Sequence, residues 1–371
     1  MSVVVRPVSS WRDRREFVEL PYRLHSTSAV WVPPLRLERH FFLMRSQNPL
    51  FSHGDAQLFL AWRDGRVVGR ISAQYDEHFE DRATGMFGFL ELEDAPDILP
   101  SLLEAAASWL RAQGRGRMIG PMDFTMNDEC GVQIDGFERM PFIKQPWHPP
   151  YYAQRCEEAG LAKAEDLLMY ELVISDRSRI LPIVFKLAER VESRHGITIR
   201  RSSRRALRGD LDRFAEVYNE AWSENWGFVP YTERDLDAYV QEMQLVFDRN
   251  WVMVAETAEG ETAAIALTFP DINQVLVKMK GRLLPFGWLH FLRKKWIIDR
   301  VRVGFLGVKP AYQHTGVAAA LYVEHFDTAS RTPQTWGEMG WILESNKNMN
   351  RAMEAMGGRV VRRFRVYERV L

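Results

Sequence analysis

Short apolar runs alternate with amphipathic stretches along the chain, and the same order of elements occurs twice. In the first pass, residues 57–62 and 67–74 are strand-like and meet at Asp64-Gly65, a dipeptide that predicts a tight hairpin. Residues 85–92 read as the next strand. The helix predicted over 99–113 carries Leu102, Leu103, Ala106, Trp109 and Leu110 on one face, with Gly114 as its stop. A strand near Met118, a helix over 149–160 and a strand over 167–173 complete the unit. The second pass repeats this order: a hairpin over 251–256 and 263–269, a strand over 303–308, a helix over 316–329, a strand over 337–343, a helix over 348–356 and a strand over 360–367. An amphipathic helix over 179–192 connects the two. Residues 124–148 have no counterpart in the second pass. The prediction is therefore α+β: two domains in tandem, 1–175 and 197–371, joined by a connecting helix at 176–196. Each is expected to be a mixed twisted sheet flanked by helices.

Composition narrows the class of molecule without naming it. The 371 residues are 46% apolar and 26% charged, which is ordinary for a globular protein and excludes wholesale disorder. Lys plus Arg and Asp plus Glu are 49 each, so bulk charge gives no reason to expect nucleic acid. No apolar run is long enough to span a bilayer, and the charged N-terminal stretch does not read as a signal peptide. Cys130 and Cys156, without a secretory signal, suggest a reducing cytoplasm. The nine histidines show no H-E-x-x-H pattern and no paired cysteine spacing, so no metal site is expected.

One segment carries recognisable chemistry. Val308-Lys-Pro-Ala-Tyr-Gln313-His314-Thr315-Gly316-Val317-Ala318 leaves a strand and enters a helix. The first turn of a helix leaves N–H groups unpaired and carries partial positive charge, and Gly316 lets the backbone approach a ligand closely, so a pyrophosphate is a natural occupant. This segment resembles the acyl-CoA pyrophosphate loop, Q/R-x-x-G-x-G/A, of the GNAT acyltransferases. Trp341-Ile-Leu-Glu344-Ser-Asn346, followed by Gly357-Gly358, resembles the second signature of that family. The resemblance implies two GNAT-like domains, with acyl-CoA as co-substrate held by Leu306, Gly307, Val308, Gln313, His314, Thr315, Gly316, Val317, Ala318 and Asn346. The first copy reads Glu91-Leu-Glu93-Asp94-Ala-Pro-Asp97 at the loop position, and four carboxylates there would repel a pyrophosphate. It is expected to lack CoA binding. Where many GNAT enzymes carry a tyrosine to protonate the leaving thiolate, this chain has Met353. Tyr322 and Tyr367 are the nearby phenols.

A narrower resemblance spans nearly the whole chain. Trp31-Val-Pro-Pro-Leu35, Asn48-Pro-Leu-Phe51, Gly120-Pro-Met122, Asn127-Asp-Glu-Cys-Gly131, Asn225-Trp-Gly-Phe-Val-Pro230 and Pro270-Asp-Ile-Asn273 are similar to a group of tandem GNAT proteins that includes the bacterial ceramide synthases. That resemblance implies transfer of a long fatty acyl chain to the amine of a sphingoid base, 3-ketosphinganine or sphinganine, with the acceptor between the two domains. Acylation of an amino acid or small amine is the alternative, and a noncatalytic lipid-binding protein on the same scaffold is the alternative of another class.

Amide formation needs a base for the protonated amine and donors for the oxyanion. By analogy with the family, backbone N–H groups of residues 306–308 are the donors. Glu338, Glu344, Asp271 and Glu224 are the candidate bases. Each has a plainer role: Glu344-Ser345-Asn346 suits a helix cap, Asp271 suits a turn, and Glu224 suits a solvated helix face. Residues 283–298 combine bulky apolar side chains with Arg293, Lys294 and Lys295. They either line a lipid tunnel, make peripheral contact with the inner membrane face, or form a buried insertion helix with a solvated basic end. The basic run Arg200, Arg201, Arg204, Arg205 and Arg208 suits a solvated surface, phospholipid, the CoA adenosine phosphate or RNA, the last raising a transferase that uses aminoacyl-tRNA.

Overall fold

Asp64 and Gly65 adopt φ values of 52° and 76°, the left-handed pair that a two-residue hairpin turn requires. In the computed structural model, which describes residues 2–223 and 225–371, the hairpin strands are longer than the apolar pattern suggested. In chain order the first half contains β1 (Val4–Pro7), α1 (Trp11–Leu24), α2 (Arg36–Phe42), β2 (Gly54–Arg63), β3 (Arg66–Asp76), β4 (Thr84–Leu92), α3 (Ile98–Ala112), β5 (Arg117–Gly120), β6 (Val132–Asp135), α4 (Tyr151–Glu158) and β7 (Ala162–Leu172). There follow α5 (Pro182–His195), β8 (Thr198–Arg201), α6 (Leu207–Trp222), α7 (Glu233–Val246), β9 (Val252–Glu256), β10 (Thr262–Pro270), α8 (Asn273–Met279), α9 (Gly287–Leu292), α10 (Lys294–Ile297), β11 (Arg300–Val308), α11 (Val317–Ala329), β12 (Trp336–Leu343), α12 (Lys347–Ala355) and β13 (Arg359–Val370).

Contacts divide the chain into two units that are not continuous in sequence. One contains the residues up to Leu167 together with Val275–Leu292 and Arg362–Leu371. The other contains Leu168–Gln274 and Arg293–Val361. The repeat pattern placed its boundary at 176–196 and did not foresee that a segment of the second half, and the C-terminal strand, join the first unit. The reason is local packing. The Arg36 N–H donates to Gly281 O at 3.3 Å, and a Cβ on Gly281 would lie 2.6 Å from the Tyr22 ring, so only glycine fits there. Within the same unit, Arg362 is almost fully buried and donates to Arg139 O and Met140 O at 2.9 and 2.7 Å, which fixes the stretch without a repeat counterpart.

Each unit is α+β with its own core. In the first, β1-β2-β3-β4-β5 are neighbours in that order, and the end of β13 runs antiparallel to β5. Helix α3 buries Ile98, Leu99, Leu102, Leu103, Ala106, Ala107 and Leu110 against Phe59, Ile71 and Phe87. In the second, β8-β9-β10-β11-β12 repeat the order, and α11 packs Val317, Leu321 and Phe326 into a core with Trp251, Met253 and Ala264. Capping boxes at Ser10–Asp13 and Thr232–Asp235 start α1 and α7. Both cysteines are buried and unbridged.

Candidate active site

The second unit holds the loop that the sequence singled out. Lys309, Pro310 and a 3-10 turn over Pro310–Thr315 carry the chain from β11 to Gly316, whose φ of +86° turns it into α11. The Ala320 N–H donates to Gly316 O at 3.1 Å, so the helix starts there. Among the described residues the N–H groups of Gly316, Ala318 and Ala319 meet no acceptor. Thr315 turns inward: its hydroxyl donates to Tyr312 O at 2.6 Å and accepts the Val317 N–H at 3.3 Å. The Val317 side chain is buried in the core, while Gln313 and His314 are exposed and Ala318 is half-buried. Helix α5 runs past this turn, so a Cβ on Gly316 would lie 3.2 Å from Leu187 O, and the His195 and His314 rings are 6.2 Å apart.

The strand before the loop forks. β11 pairs in parallel with β12 from Arg300↔Trp336 to Val303↔Met339 and no further, although both strands continue. On its other side β11 stays paired with β10 to Val308, with a bulge that skips Gly304. The Lys309 N–H donates to Ala263 O at 3.0 Å. By alternation along the strand, the N–H groups of Leu306 and Val308 point the other way, into the fork. That of Gly307 points to β10. Gly307 makes room instead: a Cβ there would lie 2.4 Å from the Phe305 ring.

Phe305 is the centre of an aromatic cluster that the sequence reading missed. Phe214 and Trp222 of α6 each lie 4.8 Å from it. Tyr218 stacks on Phe228 at 5.2 Å and meets Tyr231 at 4.9 Å. Only the spacing of Phe214, Tyr218 and Trp222, four residues apart on one helix face, was available to signal it.

The candidate bases fall in different settings. Glu338 is fully buried on β12, in register with Arg302 and one residue before pairing stops, so it stands at the base of the fork. Arg302 donates to Gly340 O at 3.3 Å and lies 5.1 Å over the Trp341 ring. Asp271 is fully buried, but its carboxylate accepts from Arg300 Nε at 2.8 Å and from the Asn273 N–H at 3.2 Å. That pair ties the turn after β10 to β11, and breaking such a pair typically costs about 3–5 kcal/mol. Glu344 is exposed beyond β12. Asn346 caps α12, its Oδ1 accepting the Met349 N–H at 3.1 Å. Glu224 lies outside the described residues. Met353 is buried in the core of the second unit. The Tyr322 hydroxyl lies 3.8 Å from Met349 Sδ, and burial pushes its phenol well above the usual range, so it stays protonated. Tyr367 belongs to the first unit, in register with Gly120.

Three of the five arginines of the basic run are engaged in ion pairs. Arg200 pairs with Asp210 at 2.7 Å and Glu256 at 2.8 Å, Arg201 with Glu324 at 2.6 Å, and Arg208 with Asp237 at 3.0 Å. Arg204 and Arg205 of the same run are exposed.

In the first unit the same strand edge is closed. The Glu93 N–H donates to Val68 O, as Lys309 does to Ala263, so Leu92 stands where Val308 does. The Leu92 N–H donates to the Tyr152 hydroxyl at 3.0 Å, and the Tyr151 hydroxyl donates to Leu92 O at 2.7 Å. The Phe89 N–H donates to the Asp123 carboxyl at 2.7 Å. The four acids of this loop are also neutralised: Glu91 by His25 at 2.7 Å, Glu93 by Arg66, Asp94 by Arg155 at 2.8 Å and Asp97 by Arg63 at 2.5 Å. Burial alone would raise the Glu91 carboxyl, but the charge and hydrogen bond of His25 outweigh it and lower it to about 2. The occupied N–H of Leu92, where Val308 faces the fork in the second unit, therefore distinguishes this copy.

Two units built in one element order, one with a forked strand opening beside a glycine turn into a helix, define a tandem GNAT-fold protein. A tandem GNAT protein from the clavulanic acid biosynthesis pathway shares this fold with a TM-score of 0.57, at 13% identity, over 100% of this chain and 98% of that one. No family model matches the chain. It is 34% identical to the bacterial ceramide synthase of Caulobacter vibrioides, over 99% of this chain and 97% of that protein. It is 32% identical to the protein YghO of Escherichia coli, over 99% of this chain and 95% of that protein. The chain belongs to the family of these two proteins and is a GNAT-type N-acyltransferase.

Proposed function

We propose that this protein transfers a long fatty acyl chain from acyl-CoA to the amine of a sphingoid base, 3-ketosphinganine or sphinganine, forming a ceramide. The observation that carries this reading is the opened edge of β11, with the Leu306 and Val308 N–H groups facing a fork that begins beside Glu338. The ceramide synthase relative supplies the substrate class. The thioester's diphosphate sits on the N–H groups of Gly316, Ala318 and Ala319, and its carbonyl oxygen faces Leu306 and Val308. Glu338 takes a proton from the acceptor ammonium, and the freed amine attacks the carbonyl carbon. The C–N bond forms and the oxyanion is held by the two N–H groups. The C–S bond then breaks, the nitrogen loses its second proton, and the departing thiolate takes that proton up to leave as the free thiol. The aromatic cluster around Phe305 provides an apolar wall beside the reacting carbon. The first copy holds no CoA, a reading supported by Leu92, its counterpart of Val308, whose N–H is already bonded to the Tyr152 hydroxyl.

The protein also rests on anionic lipid through residues 283–298. No helix among the described residues is long and apolar enough to cross a membrane. Leu284, Phe286, Leu292 and Trp296 are 72, 70, 66 and 84% exposed, beside exposed Arg293 and Lys295, which suits interfacial contact. That exposure does not suit a buried insertion helix.

The test is thiol release from CoA thioesters of increasing chain length, with and without sphingoid bases. Release that requires both a long chain and a sphingoid base is expected. Activity confined to acetyl-CoA with polar amines or amino acids would assign the small-amine reaction. Acyl-CoA binding without turnover on any amine would leave a lipid-binding scaffold.

A further inference from the structure

His53, Asp76 and His78 are distant from any metal motif in the sequence, yet the first unit brings them together. A 3-10 turn over Pro49–Ser52 ends with the His53 N–H donating to Leu50 O at 3.0 Å, and β2 starts at the next residue. Gly54 is in register with Asp76, the last pair of the β2–β3 ladder. A Cβ on Gly54 would lie 2.1 Å from Tyr75 O, so glycine is what permits this close approach. Beyond β3 the Glu77 N–H donates to His53 O at 2.8 Å, and the His78 N–H folds back onto Asp76 Oδ1 at 2.8 Å. Three backbone constraints therefore place the three side chains on one another.

Their donor atoms converge. His53 Nδ1 is 2.9 Å and His78 Nδ1 4.0 Å from Asp76 Oδ1, and one ligand atom from each residue lies within 4.8 Å of the others. The two imidazoles lie 4.7 Å apart at 28°. Asp76 is 1% exposed, and its Oδ2 is buried with no hydrogen-bond partner. A buried carboxylate oxygen left unpaired bears its full desolvation penalty, and a cation in the same place removes it. Two imidazole nitrogens and one carboxylate form a borderline donor set that suits Zn2+ and disfavours Ca2+ or Mg2+. Ligands about 2.0–2.1 Å from a tetrahedral ion stand about 3.3 Å from one another, so the spacings of 2.9 and 4.0 Å to Asp76 Oδ1 need only sub-ångström adjustment. His78 is partly exposed, leaving an entry path and room for water as fourth ligand.

We propose that His53, Asp76 and His78 bind one zinc-like divalent transition metal ion, which pins the start of β2 to the exit of β3. The site is separate from the acyl-transfer reading and stands without it. The experiment strips the full chain with chelator, then measures Zn2+ uptake by equilibrium dialysis and Co2+ uptake by its visible absorption. About one equivalent is expected, with a tetrahedral Co2+ spectrum. H78A removes a partly exposed ring and should leave the metal-free unfolding temperature unchanged while weakening binding by more than about a hundredfold. Asp76→Asn should do the same to binding while keeping the side-chain shape. Zn2+ should raise the unfolding temperature of the wild type and not of either variant. Absence of stoichiometric uptake, or uptake equal in wild type and H78A, would overturn the proposal.

Discussion

Gly316→Ala separates backbone strain from ligand binding. The φ of +86° is one that an L side chain occupies at a cost of about 1–2 kcal/mol. The new Cβ would stand 3.2 Å from Leu187 O and 3.4 Å from Leu187 Cβ, so α5 has to yield by a few tenths of an ångström. For a unit of this size such a cost lowers the unfolding temperature by about 2–8 °C. If the turn cradles a diphosphate, a shift there also misaligns at least one N–H that bonds a phosphate oxygen. A hydrogen bond to a charged group contributes about 1.5–3 kcal/mol, which is about a ten- to hundredfold loss in CoA affinity. Gly196→Ala is the control. Gly196 has a φ of +62° at the end of α5, and a Cβ there meets nothing within 4 Å. Calorimetric titration with CoA and thermal unfolding should show both variants destabilised and only Gly316→Ala weakened in CoA binding. Equal destabilisation with CoA affinity unchanged in both would refute the assignment of the turn.

Glu338→Gln should lower kcat by about 10²–10⁴, with the unfolding temperature followed alongside; an unchanged kcat rejects Glu338 as the base. Asp123 is raised well above the usual carboxyl range by burial and by Glu129 beside it. The folded chain thus keeps a proton that the unfolded chain releases above about pH 4, and Asp123 makes stability fall as pH rises through that point. Asp123→Asn should therefore gain in urea midpoint over the wild type at pH 8 relative to pH 4, and the opposite trend would reject the raised value. Arg293→Gln with Lys295→Gln should weaken co-sedimentation with anionic vesicles about thirtyfold, at about 1 kcal/mol for each exposed charge. Unchanged sedimentation argues against the membrane contact. Lys294 is half-buried and donates to Leu245 O, so it is left in place.

The chain's periodicities alone determined the repeated order of strands and helices, the Asp64-Gly65 hairpin and the glycine turn into α11. Each of these is local: alternation, helical spacing and positive φ are properties of neighbouring residues. Asn346 as a helix cap was legible for the same reason. Tertiary structure decided what depended on distant partners. It set where β11 parts from β12, since divergence is a property of two strands and not of either one. It buried Asp271 against Arg300 and left Glu338 at the base of the fork, although in sequence Asp271 and Glu338 read alike as candidate bases. It closed the first copy through Tyr152 and Asp123, about 60 and 34 residues away from the backbone donors they occupy. It also moved residues 275–292 into the first unit, because the close approach at Gly281 depends on Tyr22 and Arg36, far away in the chain. Short-range pattern writes the elements, and only the packed chain decides which edges stay open to a ligand.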